Sequence, residues 1–130
     1  MSDQSPASPA AQPGRAQEPG VRPRILIWAE REPDGEIIRY VADLCEAWAG
    51  AADPAVWIEP NEAPSNRRAI GSVPCSDCNP FTRFGRARAV RALREQRPDL
   101  LLFVGARAAW HGIACARRAG LHNTAFLALT

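Results

Sequence analysis

The stretch from Arg97 to Thr130 constrains the fold most, because it predicts a strand, a turn, a helix and a second strand in immediate succession. Leu100 to Val104 is a continuous apolar run of strand length, which is typical of a strand buried on both faces. An alanine-rich helix follows from Ala108 to Ala119, and Gly120 is its stop signal. Ala125 to Leu129 is the next apolar strand. A strand, a crossover helix and a strand form a βαβ unit with a parallel sheet.

Three residues lie between the first strand of this unit and its helix, namely Gly105, Ala106 and Arg107. Ligands of parallel sheets bind beyond the carboxyl ends of the strands, where a helix N-terminus offers backbone N–H groups to an anion. We therefore expect these three residues to form part of an anion-binding site.

Two strand–helix pairs and a long loop precede this unit. The strands are predicted from Arg24 to Trp28 and from Ala55 to Ile58, and the helices from Glu36 to Ala49 and from Arg86 to Arg97. Glu59 to Pro80 contains four prolines and no persistent periodicity. A loop of this length in a small domain is either functional or a misread element. The pattern as a whole predicts an α/β sandwich with about four parallel strands.

The ends of the chain and its location are judged from composition. Residues 1–23 hold five prolines and almost no large apolar side chains, which predicts a disordered tail before a single domain over residues 24–130. No run approaches ~20 apolar residues, the length of a membrane span. No basic start precedes an apolar core, so no signal peptide is visible. We expect a cytoplasmic protein that has no membrane partner.

Charge is distributed unevenly along the chain. Residues 29–62 carry nine acidic side chains against two arginines, whereas residues 63–130 carry eleven arginines against three acidic side chains. The two halves either attract each other and cover different faces, or the arginines line a pocket for a phosphate-bearing partner. Phe81 and Phe84 interleave with arginines, but the pI is about 8.5 and no nucleic-acid recognition motif accompanies them. Nucleic acid is not an expected partner.

The sequence resembles a known family in two places. Phe84 to Gly120 reads FGRARAVRALREQRPDLLLFVGARAAWHGIACARRAG, and Ile25 to Glu32 reads ILIWAERE. These runs look like the SLOG superfamily, which comprises Rossmann-like proteins related to the "lonely guy" cytokinin-activating enzymes. The small YspA-like branch of the superfamily reads G-P-I-R-N-R at a helix start, then R-P-D-L, a strand, and P-G-G-x-G-T. The resemblance implies a Rossmann-like three-layer sandwich.

The same resemblance implies where a ligand would bind. Gly85 and Arg88 stand at the first Gly and the Arg of the helix start, and Gly105 stands at the first Gly of the glycine-rich loop. Arg31 and Glu32 stand at the Arg and Asp of the family's G-S-R-D segment. Family members bind nucleotides or nucleotide-derived ligands, so a nucleotide is the implied cofactor or ligand.

This chain departs from the family pattern in ways that predict a degenerate site. Two glycines and the Thr of the glycine-rich loop are replaced, as the run from Val104 to Ala109 reads VGARAA. Backbone N–H groups approach a phosphate closely only where no side chain intervenes. No Glu stands in that loop or the next helix, where hydrolytic relatives keep a catalytic one. We therefore expect binding without phosphoribohydrolase activity.

The ligand hypothesis rests on three arginines, since Arg31, Arg88 and Arg107 would converge at the carboxyl edge of the sheet and hold a phosphate. Trp28 and Trp110 either stack on a base or belong to the core. The alternative function is a structural or adaptor domain that has lost the ligand site. A homo-oligomer is left open.

Cys75-Ser76-Asp77-Cys78 is half of a zinc-binding knuckle. His111 and Cys115, one helical turn apart, would complete a ligand set with Cys75 and Cys78. The alternative is a proline-rich turn with two inert thiols. Two strand ends also carry paired carboxylates, Glu30 with Glu32 and Glu59 with Glu62, at positions where catalytic residues often lie, but such pairs are most simply solvated.

Overall fold

The computed structural model describes residues 21–31, 35–60 and 69–129. The predicted tail over residues 1–20 lies outside these ranges, and so does Glu32 of the predicted site. Along the described chain, the elements follow in the order β1 (Arg24–Glu30), α1 (Glu36–Ala47), β2 (Asp53–Glu59), β3 (Ala69–Ile70), β4 (Val73–Asp77), α2 (Arg83–Gln96), β5 (Leu100–Val104), α3 (Ala106–Ala119) and β6 (Ala125–Leu129). None of these helices is long and apolar enough to cross a membrane.

The strands form one sheet in the order β3-β4-β2-β1-β5-β6. Every neighbouring pair is parallel except β3 with β4, which are antiparallel. The protein therefore has an α/β fold with a mostly parallel sheet, which confirms the predicted class. The predicted number of about four strands is wrong, because the described part of the chain contributes six.

The two additional strands lie inside the stretch interpreted as a loop. β3 has only two residues, and β4 reads Val-Pro-Cys-Ser-Asp, which lacks the apolar alternation of a strand. Pairing with neighbours makes them strands, since β4 runs parallel to β2 with Cys75 opposite Val56. Gly71, with φ at 61°, lies in the tight turn between β3 and β4. Of the two interpretations of that stretch, a misread element is confirmed for residues 69–77.

The helices cover both faces of the sheet, which gives three layers. Ile25 and Ile27 of β1 pack in a core on the side of α1, together with Val41. Leu26 and Trp28, the alternate residues of β1, pack in a second core under α2 and α3. β1 is thus buried on both faces, as its continuous apolar sequence predicts.

The start of α2 explains one glycine of the predicted site. α2 begins at Arg83, three residues before the predicted start, because Thr82 caps it and its Oγ1 accepts a hydrogen bond from the Gly85 N–H at 2.9 Å. A Cβ on Gly85 would lie 1.8 Å from the Asn79 carbonyl oxygen. Gly85 therefore serves the close packing of α2 against the preceding loop.

β6 lies at one edge of the sheet and is unusually apolar for an exposed strand. It reads Ala-Phe-Leu-Ala-Leu, and Phe126 and Leu127 are 42% and 50% exposed. β6 carries none of the charges or prolines with which proteins commonly protect an edge strand from pairing with another chain.

Candidate functional site

The carboxyl edge of the sheet has its crevice between β1 and β5. These two strands are neighbours, but the chain leaves β1 for α1 on one face and leaves β5 for α3 on the other face. In open parallel sheets, ligands bind at the point where the chain diverges in this way. The residues that end β1 and follow β5 are Glu30 and Gly105, and they define the centre of the candidate site.

The Glu30 carboxylate binds the N-terminus of α3. Its Oε2 accepts hydrogen bonds from the backbone N–H of Arg107 at 2.9 Å and of Ala108 at 3.2 Å. These are two of the N–H groups that a helix leaves without intrahelical partners, and the helix dipole also favours a negative charge there. In the described structure, a carboxylate of the chain itself therefore occupies the N–H groups of Arg107 and Ala108 at the predicted anion-binding position.

Gly105 makes this contact possible. A Cβ at Gly105 would lie 2.3 Å from Cδ of Glu30, and the residue has φ at 107°, which L side chains rarely adopt. The glycine that resembles the family's loop thus permits close approach of a carboxylate group. Its own N–H donates to the Leu129 carbonyl at 2.8 Å, so β6 also helps to fix the turn.

Glu59, the last residue of β2, is a fully buried carboxyl group. Its Oε2 accepts a 2.7 Å hydrogen bond from Nε1 of Trp28, whereas its Oε1 has no hydrogen-bond partner among the described residues. Burial raises the pKa of Glu59, and the nearby Glu30 raises it further, while the Trp28 hydrogen bond, His111 and Arg107 lower it. The expectation of a solvated carboxylate at this strand end is wrong.

Two basic side chains of α3 approach Glu59. Nε of Arg107 lies 3.6 Å from Oε1, and Nδ1 of His111 lies 3.7 Å from Oε2, too far for a hydrogen bond in either case. Nδ1 of His111 is buried and, in the described structure, has no hydrogen-bond partner. Oε1 of Glu59 and Nδ1 of His111 are thus two buried polar atoms that the described side chains leave without a hydrogen bond.

Phe81, which precedes α2, packs against both His111 and Arg107. Its ring packs edge-on against His111 at 5.0 Å between centroids, and the Arg107 guanidinium lies 5.2 Å from its centroid. Arg107 therefore has three neighbours of different chemistry, namely the Phe81 ring, the Glu59 carboxyl and solvent, since its side chain is 46% exposed. We call Glu30, Glu59, Phe81, Arg107 and His111 the edge cluster.

The other predicted ligand-binding residues lie at different positions. Arg88 is on the exposed side of α2, with its guanidinium 6.0 Å from the Phe84 centroid. Together with Gly85, it lines a cleft of about 340 Å³ that runs along β4. Arg31 directly follows β1 and is half-buried. Of the predicted arginines, Arg107 contacts Glu59 and Phe81 of the edge cluster, whereas the guanidinium of Arg88 lies beside Phe84.

The CxxC thiols point to opposite faces of the sheet. Cys75 packs in the core beside α1, and Cys78 packs in the core beneath α2 and α3. Two residues three positions apart along an extended chain face opposite sides, so they cannot both bind one ion there. No group of three or more His, Cys, Asp or Glu side chains suited to a metal occurs in the part of the chain that the structure describes. The geometry gives the zinc alternative no support.

All four cysteines are free and buried. Burial raises the pKa of the Cys78 thiol far above its ordinary value, and nearby Glu59 and Cys115 raise it further. Burial likewise raises the pKa of Cys45 and of Cys115. The thiols of Cys45, Cys78 and Cys115 are therefore protonated at neutral pH and unreactive as nucleophiles.

The two tryptophans proposed for stacking differ in exposure. Trp28 is fully buried, packs against Trp57 and Phe103, and cannot stack on a ligand base. Trp110 is 80% exposed on α3.

The sequence does not predict that Glu59 lies against Trp28, Arg107 and His111. The available signal was the apolar run Val56-Trp57-Ile58 directly before Glu59, which indicates a strand buried up to its last residue. Sequence could not pair that carboxyl with the indole of Trp28, because the pairing depends on the parallel register of β1 and β2, which places Trp28 opposite Trp57. No protein-family model matches this chain, and no curated protein matches it.

Proposed function

We propose that the protein is a small Rossmann-like, SLOG-type domain that binds a nucleotide or nucleotide-derived ligand at the edge cluster without catalysing its hydrolysis. The observation that carries this proposal is the pair of backbone N–H groups at the start of α3 that bind the Glu30 carboxylate. Two N–H groups that bind one carboxylate oxygen are equally suited to a phosphate oxygen.

In this proposal the Glu30 carboxylate competes with the ligand phosphate for the N–H groups of Arg107 and Ala108. Its carboxylate is at the strand end and only half-buried, so its side chain can turn away when a ligand phosphate takes its place. A phosphate carries more charge and more acceptor oxygens than a carboxylate, and it gains from the same helix dipole. The Arg107 side chain, half-exposed above the same amides, supplies the charge-assisted contact that the phosphate needs.

Recognition of the rest of the ligand would use the polar and aromatic members of the edge cluster. Oε1 of Glu59 and Nδ1 of His111 are buried and have no hydrogen-bond partner among the described residues, so a ligand hydroxyl or amino group would reach them only if the half-exposed Arg107 side chain moved aside. Phe81 is 44% exposed and offers an apolar surface beside them. A sugar hydroxyl and a base edge have this chemistry, whereas inorganic phosphate alone lacks it.

The first test is a thermal-shift and calorimetric panel of AMP, ADP-ribose, NAD and cyclic nucleotides on the full chain. A nucleotide at one hundred times its Kd should add about 2.7 kcal/mol to the stability of the fold. Arg107→Gln should weaken that binding at least ten-fold, because a hydrogen bond to a charged group contributes about 1.5–3 kcal/mol. Arg117→Gln, at an exposed position of α3 outside the edge cluster, is the matched control and should bind as the parent does.

A second test uses a substitution that should strengthen nucleotide binding instead of weakening it. Glu30→Gln should tighten nucleotide binding several-fold, because a neutral amide competes less well than a carboxylate for the α3 amides. Glu46→Gln removes the same charge from an exposed position on α1 and should leave affinity unchanged. Equal affinity of the parent and Glu30→Gln would show that any nucleotide bound does not use these amides.

The second candidate function is a structural or adaptor domain without a ligand. It is favoured by the fact that Glu30 already satisfies the α3 N-terminus, so the fold needs no ligand for that purpose. If no nucleotide in the panel shifts the melting transition of either the parent or Glu30→Gln, the adaptor function stands and the binding proposal is withdrawn.

Assembly with a second copy remains a prediction, and β6 is the surface best suited to it. Antiparallel pairing of two β6 strands about Leu127 would place Phe126 opposite Ala128 and Leu129 opposite Ala125, so large residues would meet small ones.

A further inference from the structure

A second surface, separate from the edge cluster, lies on α2 and the adjoining part of α3. It is an open groove of about 700 Å³ lined by Phe84, Ala87, Arg88, Val90, Arg91, Arg94 and Arg118. Four of these side chains are arginines, and none is acidic. We call this surface the arginine groove.

The helices that form the arginine groove are the most basic elements of the described structure. α2 carries five arginines and a single acidic residue, Glu95, and α3 carries three arginines and no acidic residue. α1, on the opposite face of the sheet, carries three acidic residues and Arg39 as its single basic residue. The uneven charge of the sequence thus becomes a basic face and an acidic face. A basic face of this kind attracts a polyanion over distances comparable with the Debye length.

Among the described residues, no carboxylate forms an ion pair with the arginines of the groove. Nη2 of Arg94 donates to the main-chain carbonyl of Arg118 at 3.0 Å, which ties the side chain of α2 to the end of α3. Arg91 lies one turn before Glu95, but the groove lining itself contains no acidic group to compensate Arg94 and Arg118. Like charges so placed repel one another, and a row of phosphates would relieve that repulsion.

Phe84 supplies the other component of the surface. It is 78% exposed, and the Arg88 guanidinium lies 6.0 Å from its ring centroid. A large ring exposed beside a guanidinium is suited to stacking with a nucleic-acid base, since every base presents a flat π-face. An acidic peptide would use the arginines, but it would gain little from an isolated flat ring with no pocket for a side chain.

We propose that the arginine groove binds single-stranded nucleic acid. Phosphates lie along Arg88, Arg91, Arg94 and Arg118, and a base stacks on Phe84. The interleaving of arginines and phenylalanines along the sequence does not by itself predict nucleic-acid binding. Their assembly on one side of the sheet, with Phe84 exposed, is what favours it. This proposal does not depend on the edge cluster, since none of its residues belongs to that cluster.

The experiment is fluorescence anisotropy of the full chain with a fluorescein-labelled dodecamer of dT, and of U, across a salt series. Four phosphate contacts predict a slope of log affinity against log salt of about −3, because each contact on a single strand contributes about −0.7. Arg91→Gln and Arg118→Gln should each make the slope shallower by about 0.7. Arg39→Gln, which removes an exposed arginine from α1 on the acidic face, should leave the slope unchanged.

Stacking is tested separately from charge. Phe84→Ala should weaken dT dodecamer binding at least five-fold, because stacking of one base on an aromatic ring makes a contribution of this size or larger. Tyr40→Ala removes another exposed aromatic ring, 44% exposed on α1, and as the control should bind as the parent does. Phe84→Ala should not affect an abasic dodecamer, which has phosphates but no bases.

Two results would overturn the proposal. One is the absence of measurable dodecamer binding at low salt by a chain whose circular dichroism shows that it is folded. The other is an affinity for a poly-glutamate peptide of the same charge that equals the affinity for dT, with no effect of Phe84→Ala. In that case the arginine groove would be a surface for an acidic protein segment.

Discussion

Gly105→Ala is expected to lower the free energy of unfolding by about 3 kcal/mol, since two separate costs arise at that position. The backbone is at φ 107° and ψ 144°, a conformation that residues with a Cβ rarely adopt. The added methyl group would also lie 2.3–2.4 Å from three atoms of the Glu30 side chain. Glu30 would have to leave the α3 N-terminus, which removes a helix cap that contributes about 1 kcal/mol.

Two comparisons separate these costs in urea unfolding experiments. Gly50→Ala is the matched control, because Gly50 also has a positive φ, at 84°, but a Cβ there meets nothing within 4 Å. It should therefore show only the cost of backbone strain. Glu30→Ala combined with Gly105→Ala should recover the part caused by the collision. If Gly105→Ala is no more destabilising than Gly50→Ala, the proposed contact between Gly105 and Glu30 is not important for stability.

The elements that the sequence predicts correctly are those whose buried residues form an unbroken apolar run. Leu100–Val104 and Ala125–Leu129 have the predicted bounds, because each is an unbroken apolar run next to a helix stop or start signal. The sequence does not predict β4, because Pro74, Ser76 and Asp77 leave it without an apolar run. Its strand conformation comes from pairing with β2, which is a tertiary contact that no local pattern encodes.

The candidate site could be predicted only in outline. The order of elements predicts Gly105 and Arg107 at the carboxyl edge, since the position of a βα turn follows from that order, and both residues lie there. That Glu30 would fill the α3 N-terminus depends on the register of β1 against β5, in which Ala29 lies opposite Val104. Arg88 was expected at the same edge, but an exposed residue in the middle of a helix is directed by the rotation of that helix on the sheet. Spacing along the chain does not fix that rotation.

Trp28→Phe is expected to cost about 3 kcal/mol at neutral pH, since it removes the hydrogen bond that the buried Glu59 carboxyl accepts from Nε1 at 2.7 Å. A buried acceptor left without a donor loses the compensation for its desolvation. Trp57→Phe is the matched control, because Trp57 is buried in the same core, undergoes the same reduction in size and has no such bond to Glu59. The difference between the two variants isolates the hydrogen bond from the cavity.

The pH dependence of the stability lost in Trp28→Phe tests whether Glu59 is the group that causes the loss. Burial raises its folded pKa above the ordinary value of 4.5, so the folded state disfavours the ionised form. The stability that the protonated carboxyl contributes is fully present below the ordinary pKa and is lost as pH rises through the raised pKa. The Trp28 hydrogen bond lowers that pKa, so its removal should cost more at about pH 8 than at about pH 4.

Chemical unfolding of the parent, Trp28→Phe and Trp57→Phe at several pH values measures this dependence. Glu30, Arg107 and His111 also face Glu59, so each series is repeated in a Glu59→Gln background, which removes the titration of Glu59 and keeps these neighbours. The extra loss caused by Trp28→Phe at high pH should disappear in that background. A loss caused by Trp28→Phe that is the same at about pH 4 and about pH 8, and no larger than that of Trp57→Phe, would mean that packing of the indole, rather than its bond to the carboxyl, stabilises this edge of the sheet.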